Sequence, residues 1–249
     1  GLQAPGISWH GARDRLARLA AELAITCGVL GKFGRDISLL MQAEVGEAFE
    51  PAGKGRGGSS AMPHKRNPVA AMHMLDAAYR APGLAQMIAG ELPAEFERGL
   101  GSWPNALPVF ETLFGLCANS VAAALETARG LTVDAQAMRA NIDRMHGVVY
   151  SESLNSTIAD ALGPARAAEV VAEASNQAMR EQRDIRQVLA EHPEVAKAVP
   201  ADAIARACST ERQLDGALPM CQAVLAAWRD TASQLANLPA PPAAGATHF

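Results

Sequence analysis

The stretch Glu50–Pro68, EPAGKGRGGSSAMPHKRNP, separates two long segments whose apolar residues recur at helical spacing. Its glycines Gly53, Gly55, Gly57 and Gly58 give the backbone access to angles that other residues resist. Such a segment can fold its amides around an anion, or open and close as a lid. Ser59 and Ser60 place hydroxyls beside those amides, and Pro63 and Pro68 stiffen the exit. A helix is expected beyond Pro68, with a first turn that offers N–H groups to an anion. Lys65 and Asn67, two residues apart, lie along one side of an extended run and can reach the same bound carboxylate. On composition alone, a solvated loop carrying ordinary charges competes with this reading. A Walker-type phosphate loop does not, because GKGRGGSS lacks the G-x-x-x-x-G-K-[ST] spacing and no strand precedes it.

Outward from the loop, the chain reads as helices. From Ser8, an expected N-cap, to about Phe49, one apolar stripe runs through Leu16, Leu19, Ala20, Leu23, Ile25, Val29, Leu30, Phe33, Ile37, Leu40 and Met41. Gly28, Gly31 and Gly34 interrupt it, each costing roughly 1 kcal/mol against alanine in a helix. Close contact with another helix is expected to offset that cost. Val69 to about Met87 is again helical, with a kink or short break expected at Pro82 and Gly83. A third long helix is expected from about Leu107 to Arg129, with Val109, Phe110, Leu113, Leu116, Cys117, Val121 and Leu125 on its inner face. Beyond Gly130 the punctuation tightens, with Gly163 before Pro164 and Pro200 after Val199, and the segments shorten. The expected organisation is a long-helix part over 1–130, a small helical domain over 131–237 and a Pro/Ala-rich flexible tail over 238–249. Strand-like alternation is scarce, so the expected class is all-α.

The 249 residues, 49% of them apolar, suffice for a sizeable core. A formal charge of -4 supplies no basic field for nucleic acid or an anionic membrane, which leaves small molecules as the expected ligands. Cys27, Cys117, Cys208 and Cys221 lie far apart without a CxxC pair and are expected to be buried, reduced thiols, with no metal site. No basic n-region opens the chain and no uninterrupted apolar run has bilayer length, so a cytoplasmic protein without a membrane partner is expected. The opening GLQAPGISWH lacks an initiator Met and is expected to be cut from a longer chain.

GSSAMPHKRNP resembles the GSSxMPxKxNP signature of the fumarase/aspartase superfamily, matching at Gly58, Ser59, Ser60, Met62, Pro63, Lys65, Asn67 and Pro68. The resemblance implies a bundle of long helices followed by a smaller C-terminal helical domain. It also implies a homotetramer whose active sites are shared between subunits, and no cofactor. Carried over by position, it makes Ser59 the general base and gives Lys65 and Asn67 a substrate carboxylate to hold. The catalytic pair is thus Ser59 and Lys65, and the substrate-binding set is Ser60, Met62, Asn67, Arg56 and His64, with His64 at a variable signature position. Such enzymes develop charge on an aci-carboxylate, which a fixed ammonium and amide donors stabilise when already in place. A serine acting as base needs those same groups to stabilise its alkoxide.

Lyases of the superfamily carry a glutamate five residues after the signature asparagine, where this chain has Met72. That departure, with SWHGARDRLARLA and FERGLGSWPNALP, resembles the 3-carboxy-cis,cis-muconate cycloisomerase branch. The implied reaction is an intramolecular lactonisation of a tricarboxylate in aromatic catabolism, in which tethering the nucleophile supplies the proximity. An adenylosuccinate- or argininosuccinate-type lyase and a non-catalytic oligomerisation scaffold are the alternatives. Family members also carry an N-terminal part with an active-site histidine that nothing here matches, so the chain alone is expected to be inactive. His73 and His146 are expected to be satisfied interior or surface histidines rather than ligands, Arg66 a loop-solvating surface cation before a carboxylate holder, and Trp103 a core residue before the wall of a pocket or subunit contact.

Overall fold

The computed structural model describes residues 6, 10–51 and 66–237. Its order is α1 (Asp14–Leu40), β1 (Ala48–Phe49), α2 (Val69–Ala89), α3 (Ser102–Gly130), β2 (Thr132–Val133) and α4 (Ala135–Asp143). A single 3-10 turn (Val148–Tyr150) then leads to α5 (Ser151–Leu162), α6 (Pro164–Glu181), α7 (Ile185–Glu191), α8 (Pro193–Ala198), α9 (Ala201–Ala207) and α10 (Thr210–Ala236). The architecture is all-α as expected, and the strands among the described residues are two-residue segments. The chain divides into two compact units between Met138 and Arg139.

In the N-terminal unit, α1, α2 and α3 enclose a core of Ala20, Cys27, Ala77, Ala81, Ile88, Val109, Leu113 and Cys117. A second cluster centres on Ala70, Ala71, Met74, Ala123 and Ala124. Small residues dominate where α1 meets α2. A Cβ on Gly31 would lie 2.3 Å from Ala78 Cβ, and one on Gly34 would lie 3.0 Å from Met74 Cβ. Two of the three α1 glycines thus mark the expected close approach. Gly28 does not, since its added Cβ would meet nothing within 4 Å.

Several expectations need correction. The first helix runs only from Asp14 to Leu40, because the chain turns at Gln42–Gly46, where Gly46 takes φ +62 and Glu47 N–H donates to the Leu40 carbonyl. Ser8 lies outside the described residues. The α1 stripe is wider than its core face: Ala20, Cys27, Gly31, Gly34 and Ile37 are buried, whereas Leu19, Ile25 and Val29 are exposed. Pro82 and Gly83 leave α2 uninterrupted. Helix α3 begins at Ser102, a turn earlier than its apolar stripe indicates, and Pro108 sits inside it. By length and composition α3 is also apolar enough to cross a membrane, although its Val109, Leu113, Leu116 and Cys117 are buried against the unit's own core. An uninterrupted apolar run does not reveal this, because isolated polar residues such as Glu111 break the run while the mean hydropathy stays high. Trp103 is half exposed rather than a core residue.

A buried ion pair ties the chain before α1 to the end of α2. Arg13 donates to Glu91 at 2.6 Å, with their side chains 2% and 8% exposed, and Asn105 Nδ2 donates to the other Glu91 oxygen at 2.7 Å. Strands β1 and β2 pair antiparallel, Ala48 with Val133 and Phe49 with Thr132. A Cβ on Gly130 would lie 2.6 Å from Pro51 Cβ, so the segment leaving β1 passes directly over the end of α3. This pairing carries Glu50 to the first turn of α2.

In the C-terminal unit, α5 and α6 pack through Leu154, Ile158, Ala167, Val170, Val171, Ala174 and Ala178, and Ile185, Leu189, Val195 and Ile204 complete the core. Asp184 caps α7 by accepting from the Arg186 N–H at 2.8 Å. Its carboxylate also pairs with the Arg186 guanidinium at 2.6 Å, which holds its pKa below the ordinary value. Helix α10 follows the Ser209 cap and is joined at its start by Arg139 to Thr210 and Arg212 to Ser153 hydrogen bonds. None of its residues is buried. Residues 238–249, read as a tail, lie outside the described residues.

Candidate active site

Ser59, Lys65, Ser60, Met62, Arg56 and His64 lie outside the described residues. Asn67 is described at the exit of the loop, half-buried, with its carbonyl accepting from the Val69 N–H at 3.0 Å. Met72, the position where the lyases carry glutamate, is 59% exposed near the start of α2.

The structure adds a residue that the sequence reading passed over. Glu50 is 7% exposed, and its carboxylate accepts from the Ala70 N–H at 3.0 Å and the Ala71 N–H at 2.7 Å. A carboxylate at a helix N-terminus satisfies unpaired donors and opposes the positive end of the helix dipole. The expectation that the first turn of α2 offers these N–H groups to a ligand is therefore corrected, because the chain's own carboxylate already takes two of them. The legible signal was a glutamate just before a glycine tract and nineteen residues before the helix start at Val69, but spacing alone cannot foresee that contact.

Arg66 is exposed, as expected of a surface cation, but it does more than solvate the loop. Its guanidinium donates to the Glu50 carbonyl at 2.8 Å and lies 4.7 Å from the centre of the Phe49 ring. It is a latch between loop exit and loop entry, combining a hydrogen bond with a cation–π contact. Together, Glu50 and Arg66 fix residues 49–50 against residues 66–71, so both ends of the signature segment are held at one place.

Among the described residues, other titratable groups are engaged in local pairs. A polar hollow in the C-terminal unit is lined by Arg139, Asp143, His146, Tyr150, Asp184 and Arg186. Its arginines are paired with Asp143 and Asp184, and His146 bonds Gln182 at 3.0 Å, as expected of a satisfied histidine. His73 is exposed on α2. No metal-binding group of three or more His, Cys, Asp or Glu residues occurs among the described residues. Cys27, Cys117 and Cys208 are buried free thiols, whereas Cys221 is exposed against expectation. Burial pushes the Cys27 and Cys208 thiols up to about 11, which keeps them protonated and unreactive near neutrality.

A long-helix bundle that holds a GSSxMPxKxNP segment between two of its helices defines a class, the lyases of the fumarase type. The chain matches the lyase family over residues 6–83. It is 44% identical over 206 residues to the 3-carboxy-cis,cis-muconate cycloisomerase of Pseudomonas aeruginosa, covering 83% of this chain and 45% of that protein. It is 37% identical over 219 residues to the nitrosuccinate lyase of Streptomyces davaonensis, covering 88% of this chain and 46% of that one. Among solved structures, the 3-carboxy-cis,cis-muconate lactonizing enzyme of Pseudomonas putida superposes with a TM-score of 0.73 at 39% identity, over 84% of this chain and 46% of that one. The β-carboxy-cis,cis-muconate cycloisomerase of Acinetobacter calcoaceticus gives 0.77 at 32%, over 89% and 48%. The chain belongs to the fumarase/aspartase superfamily, and its likeness to the cycloisomerases extends through both units. It spans about half the length of these relatives.

Proposed function

We propose that this chain is part of a 3-carboxy-cis,cis-muconate cycloisomerase of aromatic catabolism. The observation that supports the reading above others is the identity of 41–44% to four proteins of that name, over 76–83% of the chain. In the reaction, a substrate carboxylate adds to a double bond to close a γ-lactone, and a proton is delivered to the carbon α to another carboxylate. Ser59 is proposed to deliver that proton, recovering it from solvent, and to act as the base in the reverse ring-opening, with Lys65 and Asn67 the carboxylate holders and Ser60, Met62, Arg56 and His64 the wall around them. Glu50 and Arg66 act at one remove, holding the ends of the segment that carries these residues. No cofactor enters, because the nucleophile is tethered to its target.

The working assembly is proposed to be a cytoplasmic homotetramer. Ile25 and Val29 on α1 and Val121 and Leu125 on α3 are roughly half exposed or more, which suits helices that meet further copies.

The test is lactonisation of 3-carboxy-cis,cis-muconate by this chain joined to the N-terminal half of the Pseudomonas aeruginosa relative. Ser59→Ala should lower turnover by about 10²- to 10³-fold while leaving the unfolding midpoint unchanged. Full turnover by the variant would overturn the assignment. A lyase reading is favoured by one observation, the 37% identity to the nitrosuccinate lyase over 88% of the chain. Release of nitrite from nitrosuccinate by the same protein, without lactonisation, would establish it.

A further inference from the structure

Helix α10 is apolar along one seam, yet beyond the hydrogen bonds at its start it buries none of its residues in its own unit. Leu214, Leu218, Leu225, Trp228 and Leu235 are 42–63% exposed, and no residue of the 27-residue helix is buried. The seam runs Leu214, Leu218, Cys221, Leu225, Trp228, Ala232 and Leu235, with spacings of four and three in strict alternation. That is the 3.5-residue period of a two-helix seam, in which alternate positions insert between those of a facing helix. A surface helix covering a globular core shows a broader stripe.

The flanking charges give the direction. Asp215 and Arg229 each follow a seam residue, Leu214 and Trp228, on the same side of the helix. Both are exposed, and neither makes an ion pair among the described residues. When a second copy of α10 runs antiparallel so that Leu218 faces the other copy's Trp228 and Cys221 its Leu225, Asp215 of each copy stands beside Arg229 of the other. The symmetry gives two such pairs, with Gln222 and Val224 each meeting themselves near the axis. In a parallel pairing, the positions that flank Asp215 and Arg229 are Thr210 and Val224, and neither charge finds a partner.

We propose that α10 is a self-association surface, whose occupant is α10 of a second copy of this chain in antiparallel register. The contact is isologous, so it coincides with a twofold axis, which a dihedral tetramer supplies. It does not depend on the catalytic reading.

The test is sedimentation equilibrium of the whole chain. Leu225→Asp alters a side chain that is exposed within its own unit, so helicity should be retained while one association step is lost. Asp215→Arg and Arg229→Asp each place like charges across the contact twice, and each should weaken association about tenfold at low salt. The two swaps together should restore it. The surface is disproved if Leu225→Asp associates like the wild type, as it would when another part of the protein or a different partner covers the seam. It is also disproved if the double swap fails to rescue. Oxidation with diamide provides an independent check on direction. The antiparallel register offsets the two Cys221 residues by four positions, about 6 Å along the axis. With the lateral gap, this exceeds the roughly 7 Å that a disulfide can bridge between Cα atoms. Rapid Cys221 cross-linking would mean a parallel pair and would overturn the proposal.

Discussion

Glu50 is the residue on which the described part of the candidate site depends. Its two oxygens fill two N–H positions at the start of α2, where burial makes an unpaired donor costly. Glu50→Ala should lower stability by about 1–3 kcal/mol in urea titrations, with Glu50→Gln losing less because one acceptor remains. An equal loss for both would mean that packing rather than hydrogen bonding is responsible. This role was not legible in the sequence, whereas the signature itself was. A string such as GSSAMPHKRNP is read from residue order alone, while the Glu50 contact exists only after a turn at Gly46 and a two-residue strand have brought it to α2.

Helices α1 to α3 were legible because their apolar residues recur over many turns, a signal that averages out single exceptions. Their ends and faces were less so. The α1 stripe merged a core-facing row with exposed Leu19, Ile25 and Val29, and periodicity does not distinguish a residue buried in its own unit from one left outside. The glycines sharpen the point, since sequence treats Gly28 and Gly31 alike and packing does not. Gly28→Ala should raise the unfolding free energy by about 0.5–1 kcal/mol through helix propensity. Gly31→Ala should lower it, because its new methyl would meet Ala78 Cβ at 2.3 Å. Parallel thermal melts of the two variants would check both signs. A gain in both would place α1 and α2 further apart than described.

Over the molecule as a whole, stability should fall on the acid side, and Asp184 is one identified contributor. Arg186 holds its folded-state pKa below the unfolded value, so its stabilisation is complete above about pH 4 and disappears as pH falls through the folded pKa. Asp184→Ala should cost about 1 kcal/mol near neutrality through the lost cap and flatten the loss of stability below pH 4, as read by circular dichroism. An unchanged acid slope would assign the titration elsewhere. The Arg13–Glu91 pair carries a consequence of another kind. Each side chain is a charge shut away from water and tolerable only while the other remains, so replacing one strands its neighbour at a cost of about 3–5 kcal/mol, whereas a matched apolar replacement of both can be nearly neutral. Sites 13 and 91 can therefore change cheaply only in step, and descendants of this chain should inherit the two as a single character.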